Sequence, residues 1–254
     1  MARLFFITLM CGISLIIGPF GTSCSAEPIS LALSREVMDV DTFFSGGSVT
    51  IKGQIPSDDD VALEILGPVV DGLYDVKGRV GGLWMTRYKV HLGNAPSLYM
   101  LLLPPGPQWG DKTAGLGLGV DNLKQSLAFG DSEVSTDDVF NMFVQLKRSE
   151  KLYGQAADAV SYGPGANGQK HFTATFKFPS STTVGTYTIR ATPIRSGHLG
   201  SAVSRDLTVQ EIGFVKLVNE LASNRRLIYG FSAVLIALLS GGIMGFIFKG
   251  GGSH

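Results

Sequence analysis

The feature that most constrains this chain is an apolar stretch near its end, residues 227–248, which contains no charged residue. A helix rises about 1.5 Å per residue, so this stretch would span roughly 30 Å, the thickness of the hydrocarbon core of a bilayer. Arg225 and Arg226 precede it, and Lys249 follows it. The stretch predicts a transmembrane helix over residues 227–249, so the preceding chain is interpreted as a domain held at a membrane.

The N-terminus has the composition of a secretory signal. The basic sequence MAR is followed by an apolar run and then by small residues before Glu27. This pattern predicts a signal peptide over residues 1–26 with cleavage after Ala26. Two alternatives stay open, because Cys24 could become a lipidated N-terminal cysteine or the segment could be retained as an anchor. Each outcome places the middle of the chain outside the cytoplasm.

The predicted topology is a single-pass protein of the bacterial inner membrane, with its domain outside and a short cytoplasmic tail at residues 250–254. The flanking charges weakly favour the opposite orientation, since Arg225 and Arg226 precede the span and only Lys249 follows it. Long exported domains translocate largely regardless of a few charges. The glycine-rich tail could also be a linker that is not native to the protein.

Composition narrows the functional classes. The formal net charge is zero, which gives no indication of a nucleic-acid partner. Both cysteines lie within the first 24 residues, so no disulfide framework is expected in the domain. His91, His171, His198 and His254 are isolated in the sequence, and no nucleophile motif is present. We therefore expect neither an enzyme nor a bound cofactor or metal ion, and we expect Asp58–Asp60 to be a solvated turn.

Alternating apolar residues predict strands on both sides of a helical middle. On the strand at 48–55, Val49, Ile51 and Ile55 share one face. The predicted strands are 29–33, 48–55, 61–66, 83–92, 97–103, 159–162, 171–178, 185–192 and 202–209, with a turn at 93–96.

Two helices are predicted in the middle of the chain, at 120–128 and 136–153. The second has Ser135 or Thr136 as N-cap and acidic residues in its first turn, and Gly154 is expected to end it. We interpret the segment at about 120–153 as a helical insertion that lies on a sheet.

Neither the strands before the insertion nor those after it are numerous enough to form a β-sandwich alone. The sequence therefore predicts one immunoglobulin-like β-sandwich over residues 27–212, with two small domains as the alternative. Gly185 and Tyr187 precede a strand with the spacing of a tyrosine corner, in which the phenol binds nearby backbone. An ordinary turn is the alternative interpretation.

The segment that connects this domain to the span, residues 213–226, predicts an amphipathic helix. Phe214, Leu217, Val218 and Leu221 form an apolar stripe. We expect the stripe to pack on the base of the domain or to lie in the headgroup layer.

Within the span, Gly241 and Gly245 are four residues apart. Small residues at this spacing let a second helix approach closely, so they predict helix–helix packing. The alternative is that glycine is simply frequent in membrane helices.

Several stretches together resemble a bacterial transmembrane protein family first described from alphaproteobacteria. They are residues 82–90, 94–101, 117–124, 146–153, 184–189, 213–214 and 227–230. The resemblance implies a periplasmic domain on one C-terminal span, in genes that often lie beside a sulfite-exporter-type permease. It supplies no catalytic or binding residues. The chain departs from the family pattern at Met85 and Thr86.

Two functions follow as expectations. The first is a non-enzymatic accessory subunit of a membrane transporter, with a sulfite-exporter-type permease or a second copy of the chain as its partner in the membrane. The alternative is a periplasmic binding or adhesion module for a small ligand or an envelope component. Its candidate surfaces are the loop at residues 104–109, which ends at Trp109, and the strand around Arg87 and Tyr88.

Overall fold

A computed structural model describes residues 29–109, 113, 115–130 and 134–249. The strands in these residues are β1 (Ser30–Leu33), β2 (Val37–Val40), β3 (Gly47–Pro56), β4 (Asp60–Leu66), β5 (Val69–Val80), β6 (Leu83–Pro96), β7 (Tyr99–Leu102), β8 (Ala128–Phe129), β9 (Tyr153–Ala156), β10 (Val160–Gly163), β11 (Gln169–Phe178), β12 (Gly185–Arg195), β13 (His198–Leu199) and β14 (Val203–Glu211). The helices are α1 (Val120–Leu123), α2 (Thr136–Ser149), α3 (Gly213–Asn224) and α4 (Arg226–Lys249). The mainly-β class with a C-terminal apolar helix is confirmed. The predicted signal at 1–26 and the tail at 250–254 lie outside the described residues.

Two antiparallel-rich sheets form the body of the domain. One has the order β1-β3-β11-β10, and the other has the order β2-β14-β12-β4-β7-β9, with β13 paired to β12. Each of these two sheets therefore contains strands from before and from after the helical segment, and neither half of the chain builds either of them alone.

The core lies between these sheets, where strand alternation sends every second side chain inward. Val49, Ile51 and Ile55 of β3 are buried, in agreement with the pattern of the sequence. The ring of Phe178 on β11 meets the ring of Tyr187 on β12 edge to face, with centroids 5.3 Å apart. This aromatic contact joins the two sheets directly.

A third sheet, β5-β6-β8, was not predicted, and here the structure corrects the sequence analysis. The predicted turn at residues 93–96 is part of β6, which runs from Leu83 to Pro96. Asn94 adopts a φ of 57°, and its N–H donates to the Asp71 carboxylate over 3.0 Å. The strand pairing shifts register between Val70 and Gly72 at this point. The turn-forming residues therefore make an irregularity within a long hairpin and do not end a strand.

The helical insertion is present, but both of its predicted helices are too long. The first, α1, covers only Val120–Leu123, and β8 follows it. The second, α2, ends at Ser149, because Lys151 adopts a left-handed φ of 60°. Tyr153 then begins β9, which pairs in parallel with β7. The apolar ring of Tyr153 happens to fit the helical periodicity of α2. Periodicity alone therefore could not locate the end of this helix.

Aromatic contacts hold α2 against the sheets. The ring of Phe143 meets Tyr74 of β5 at 5.4 Å and Tyr153 of β9 at 5.6 Å, edge to face in both cases. The helix thus covers the base of the β5–β6 hairpin and leaves the rest of that hairpin uncovered.

Candidate functional site

The apolar helix α4 is the first candidate site. Residues Arg226–Phe248 have a mean hydropathy of 2.2, and none of this helix is buried within the chain. Within the described residues it is the one helix whose length and composition suit a membrane span. Apart from the nearby backbone of the helix itself, no atom lies within 4 Å of the position that a Cβ would take at Gly241 or Gly245. The chain itself therefore leaves the small-residue face of the span uncovered.

The preceding helix, α3, has the predicted amphipathic character. Phe214 and Leu217 are exposed, whereas Val218 and Leu221 are partly buried. The exposure of Phe214 and Leu217 shows that these two side chains do not pack on the base of the domain. Of the two predicted positions for the stripe, the headgroup layer is the one that suits them.

The predicted tyrosine-corner residues lie where the chain turns into β12. The Tyr187 hydroxyl donates to the carbonyl oxygen of Thr183 over 2.8 Å, which is the hydrogen bond that a tyrosine corner requires. Burial raises the pKa of Tyr187. Gly185 has a φ of 139°, and a Cβ there would lie 2.8 Å from Cγ of Pro68. Both the backbone conformation and the close approach of Pro68 therefore require glycine.

Strand pairing brings the tyrosine corner and the exit to the span to the same end of the domain. On β12, Gly185 pairs with Val209 of β14, and Thr188 pairs with Leu66 of β4. Strand β14 then leads into α3 and α4. We call this end, marked by Leu66, Gly185 and Val209, the membrane-proximal end.

Of the two candidate binding surfaces, the structure corrects one. Trp109, at the end of the loop at 104–109, is only 6% exposed, so this loop does not present its indole to a ligand. Arg87 on β6 is exposed, and its guanidinium lies 5.2 Å from the centre of the Tyr88 ring. The β6 surface is therefore accessible.

A buried polar network, which sequence reasoning missed, fixes the loop before α1. The Tyr99 hydroxyl donates to Oε1 of Glu64 over 2.8 Å and accepts from the Gly119 N–H over 3.0 Å. The Nη1 atom of Arg190 lies 3.6 Å from Oε2 of Glu64. Burial is the largest cause of the raised pKa of Tyr99, and the nearby Glu64 carboxylate raises this pKa further. The one signal in the sequence was an acidic residue inside the apolar strand VALEIL.

The aspartate triplet at 58–60 is not simply a solvated turn. Asp59 is only 2% exposed, and its carboxylate accepts two hydrogen bonds from Arg195, at 2.7 and 2.8 Å. This bidentate pair closes the end of the domain opposite the membrane-proximal end. In the described part of the chain, no group of three or more His, Cys, Asp or Glu residues could hold a metal ion.

A cavity of about 350 Å³ lies between α2 and the β5–β6 hairpin. Its walls are largely apolar and include Leu73, Tyr74, Leu92, Met142 and Phe143. A cavity of this size and character is suited to a small apolar ligand.

Comparison with known proteins adds one finding about the chain as a whole. Residues 28–250 match a family model described as "Putative transmembrane protein (Alph_Pro_TM)". No curated protein matches the chain. The family match covers the β domain, α3 and all of α4.

Proposed function

Because the chain belongs to this transmembrane protein family, we propose that it is a non-enzymatic accessory subunit of a membrane transporter. In this proposal a signal peptide exports the β domain, and α4 holds the protein in the bacterial inner membrane with its C-terminus in the cytoplasm. The partner is a polytopic permease of the sulfite-exporter type, against which α4 packs.

The observation that carries this proposal is the uncovered face of α4. Apart from the nearby backbone of the helix itself, Gly241 and Gly245 have no neighbour within 4 Å of their Cβ positions, although the span is tied to a well-packed domain. Association of helices in lipid depends on close packing, which small residues permit. A second helix therefore fits this face better than lipid chains do.

The order of the strands supports an immunoglobulin-like sandwich as the exported domain. The order β1-β3-β11-β10 corresponds to strands A, B, E and D, and β14-β12-β4-β7 corresponds to G, F, C and C′. Strand β9 takes the edge position of C″ but runs parallel to β7. Strand β2 is added in parallel to β14. Domains of this kind commonly serve in recognition at cell surfaces, and the absence of the usual disulfide is compatible with a core held by packing.

The proposal is tested by purifying the tagged chain from its native membrane in mild detergent. We expect a multi-span permease to co-purify with the wild-type chain, and we expect the Gly241→Leu/Gly245→Leu variant to lose most of it. Leucine keeps the span apolar, so insertion should be unchanged while the close approach of the partner helix is blocked.

The matched control is Ala233→Leu/Ser240→Leu, which adds two leucines to a face about 100° or more around the helix from that of Gly241 and Gly245. This variant should retain the permease. Recovery of the wild-type chain alone as a monomer would contradict the proposal. Recovery of a homodimer alone would replace the permease with a second copy of the chain.

The second candidate function, a binding module, is favoured by the cavity between α2 and the β5–β6 hairpin. Leu73 and Met142 lie at its walls and remain partly or fully exposed at the surface. A thermal-shift screen of the purified chain with small apolar ligands should then show stabilisation that Leu73→Asp removes. A screen in which no ligand raises the melting temperature would argue against this function.

A further inference from the structure

The β5–β6 hairpin extends well beyond the body of the domain, and its far part is uncovered. Residues 77–89, which we call the ribbon tip, turn at Gly81 and Gly82. Next to the turn, Leu83 is 68% exposed, Trp84 is 69% exposed and Met85 is 51% exposed. Three consecutive large apolar side chains at the end of a soluble hairpin are costly unless they contact something apolar.

The hairpin leaves the domain at the membrane-proximal end. Strand β4 runs toward that end and finishes at Leu66, and β5 begins three residues later at Val69. Hydrogen bonds from Gly67 to Leu98 and from Ser97 to Pro68 continue the β4–β7 pairing into the β5–β6 pairing. The hairpin and the exit to the span therefore leave the domain from the same end.

The hairpin is also long enough to reach the bilayer. Strand β5 has 12 residues, which at about 3.3 Å per residue gives about 40 Å. The connecting helix α3 has 12 residues as well, but at about 1.5 Å per residue it is only about 18 Å long. The hairpin is about twice as long as the helix that separates the domain from the span, so its length is sufficient to reach the membrane surface even when it is strongly inclined.

The charge of the ribbon tip has one sign. It contains no acidic residue, and it carries Lys77, Arg79, Arg87 and Lys89. One acidic residue, Asp75, lies just outside the tip, opposite Lys89 across the strands. All four side chains are exposed, and none forms an ion pair with a described residue.

The cations flank the apolar residues on both faces of the hairpin. Arg79 pairs with Trp84 across the strands, with its guanidinium 6.0 Å from the indole. Arg87 lies over Gly78, which pairs with Met85. An indole beside arginines and exposed aliphatic side chains is the combination that favours the interface between headgroups and acyl chains.

We propose that the ribbon tip is a second membrane contact, which inserts Leu83, Trp84 and Met85 into the interface of the bilayer that holds α4 and places its four cations against anionic lipid headgroups. The occupant of this surface is thus a lipid bilayer that carries negative charge. The domain is held at two points, the span and the ribbon tip, and its orientation above the membrane is fixed. This inference goes beyond the proposed function and does not require a permease.

A second copy of the chain suits this surface less well. Pairing two ribbon tips along their free edges would bring two sets of four cations together, and these would repel one another. Charged side chains on edge strands commonly prevent such pairing. Anionic headgroups, in contrast, attract each basic side chain near the surface.

The test uses the purified full-length chain reconstituted into vesicles. The sequence has two tryptophans, Trp84 and Trp109, so the Trp109→Phe variant reports on the ribbon tip alone. In vesicles of phosphatidylcholine and phosphatidylglycerol with brominated acyl chains, we expect most of the Trp84 emission to be quenched. In brominated phosphatidylcholine alone, the quenching should be several-fold weaker.

The Trp84→Phe variant is the matched control, because the emission of the buried Trp109 should not respond to bromine. Subtracting its signal from that of the wild type also gives the Trp84 signal if Trp109→Phe fails to fold. On the Trp109→Phe background, Arg79→Gln/Arg87→Gln should lose the extra quenching by the anionic lipid. Lys52→Gln/Lys177→Gln, which removes the same charge from β3 and β11, should retain it.

Two results would overturn the proposal. The first is Trp84 emission that brominated lipid leaves unchanged in both compositions, as expected if the ribbon tip binds a protein instead. The second is equal quenching in both compositions, since four cations should distinguish an anionic bilayer from a neutral one.

Discussion

At the scale of single residues, the corner at Gly185 and Tyr187 determines how β12 enters the domain. The Tyr187 ring is buried, and its hydroxyl donates a hydrogen bond to the Thr183 carbonyl. The buried hydroxyl is therefore not left without a hydrogen-bond partner. These two residues were identifiable in the sequence because the motif is local. The hydrogen bond between Tyr99 and Glu64 joins residues 35 positions apart, so no local sequence pattern predicts it.

Removing the corner hydroxyl should weaken the domain without unfolding it. For Tyr187→Phe we expect a loss of about 1 kcal/mol in the free energy of unfolding, since one hydrogen bond is lost and the ring stays in place. Urea unfolding of the full chain in detergent measures this. Tyr88→Phe, on the exposed β6 surface, should change stability by less than about 0.5 kcal/mol. Equal effects of the two variants would contradict a structural role for the corner.

At the scale of elements, local signals predicted where helices begin better than where they end. The α2 N-terminus follows from Ser135, whose hydroxyl accepts from the Asp138 N–H over 3.2 Å. The end of α2 depends on Tyr153, whose hydroxyl donates to the Pro96 carbonyl over 2.7 Å. That partner lies 57 residues away in the chain. Tertiary contact thus outweighed helical periodicity at this boundary.

The cap of α2 gives the prediction for this scale. Ser135→Ala should destabilise the protein by about 1 kcal/mol, because one helix N–H loses its acceptor. Ser149→Ala, in the last turn of the same helix, removes a hydroxyl that only donates to the exposed Leu146 carbonyl. Its effect should stay below about 0.5 kcal/mol in the same urea titration. A larger loss for Ser149→Ala than for Ser135→Ala would contradict the assignment of the cap.

At the scale of the whole molecule, the sequence predicted the class of fold but not the long hairpin. The strand patterns on either side of the insertion were regular because both sheets bury one face in a common core. Strand β5 has only a weak pattern, because Gly72 and Gly78 interrupt its partly buried face and the apolar residues Val69 and Leu73 lie on its exposed face. This blurs the alternation of apolar and polar residues by which strands are recognised. The β6 side of the ribbon tip was predicted, as a strand at 83–92 with a candidate surface at Arg87 and Tyr88. The β5 side was not, so the hairpin itself could not be located from sequence.

Buried phenols predict the response of the whole domain to alkali. Burial raises the pKa of Tyr99, Tyr153 and Tyr162 above the ordinary value, which is about 10. The unfolded chain therefore releases these protons near pH 10 while the folded chain keeps them. Stability should be constant below this pH and should then fall by about 1.4 kcal/mol per pH unit for each phenol.

Urea midpoints measured between about pH 8 and pH 11 check this slope, and phenolate absorbance follows the titration itself. Burial also raises the pKa of Tyr74 and Tyr187, so Tyr153→Phe should reduce the slope by about a fifth to a third, because one of these phenols is gone. Ionisation of all tyrosines near pH 10 with no loss of stability would contradict the burial of these rings.

The position of β14 determines how the domain resists a pull from the membrane. This strand leads to the span, and it is hydrogen-bonded on both sides, to β12 in antiparallel and to β2 in parallel. Tension transmitted through α4 acts along the strand, so it stretches both ladders at once and does not break their bonds one after another. A pull through α4 thus loads the hydrogen bonds of β14 in shear, along the strand. A sheet resists force most strongly in this direction. Movements of a partner in the bilayer would move the domain as a unit before they could separate its strands.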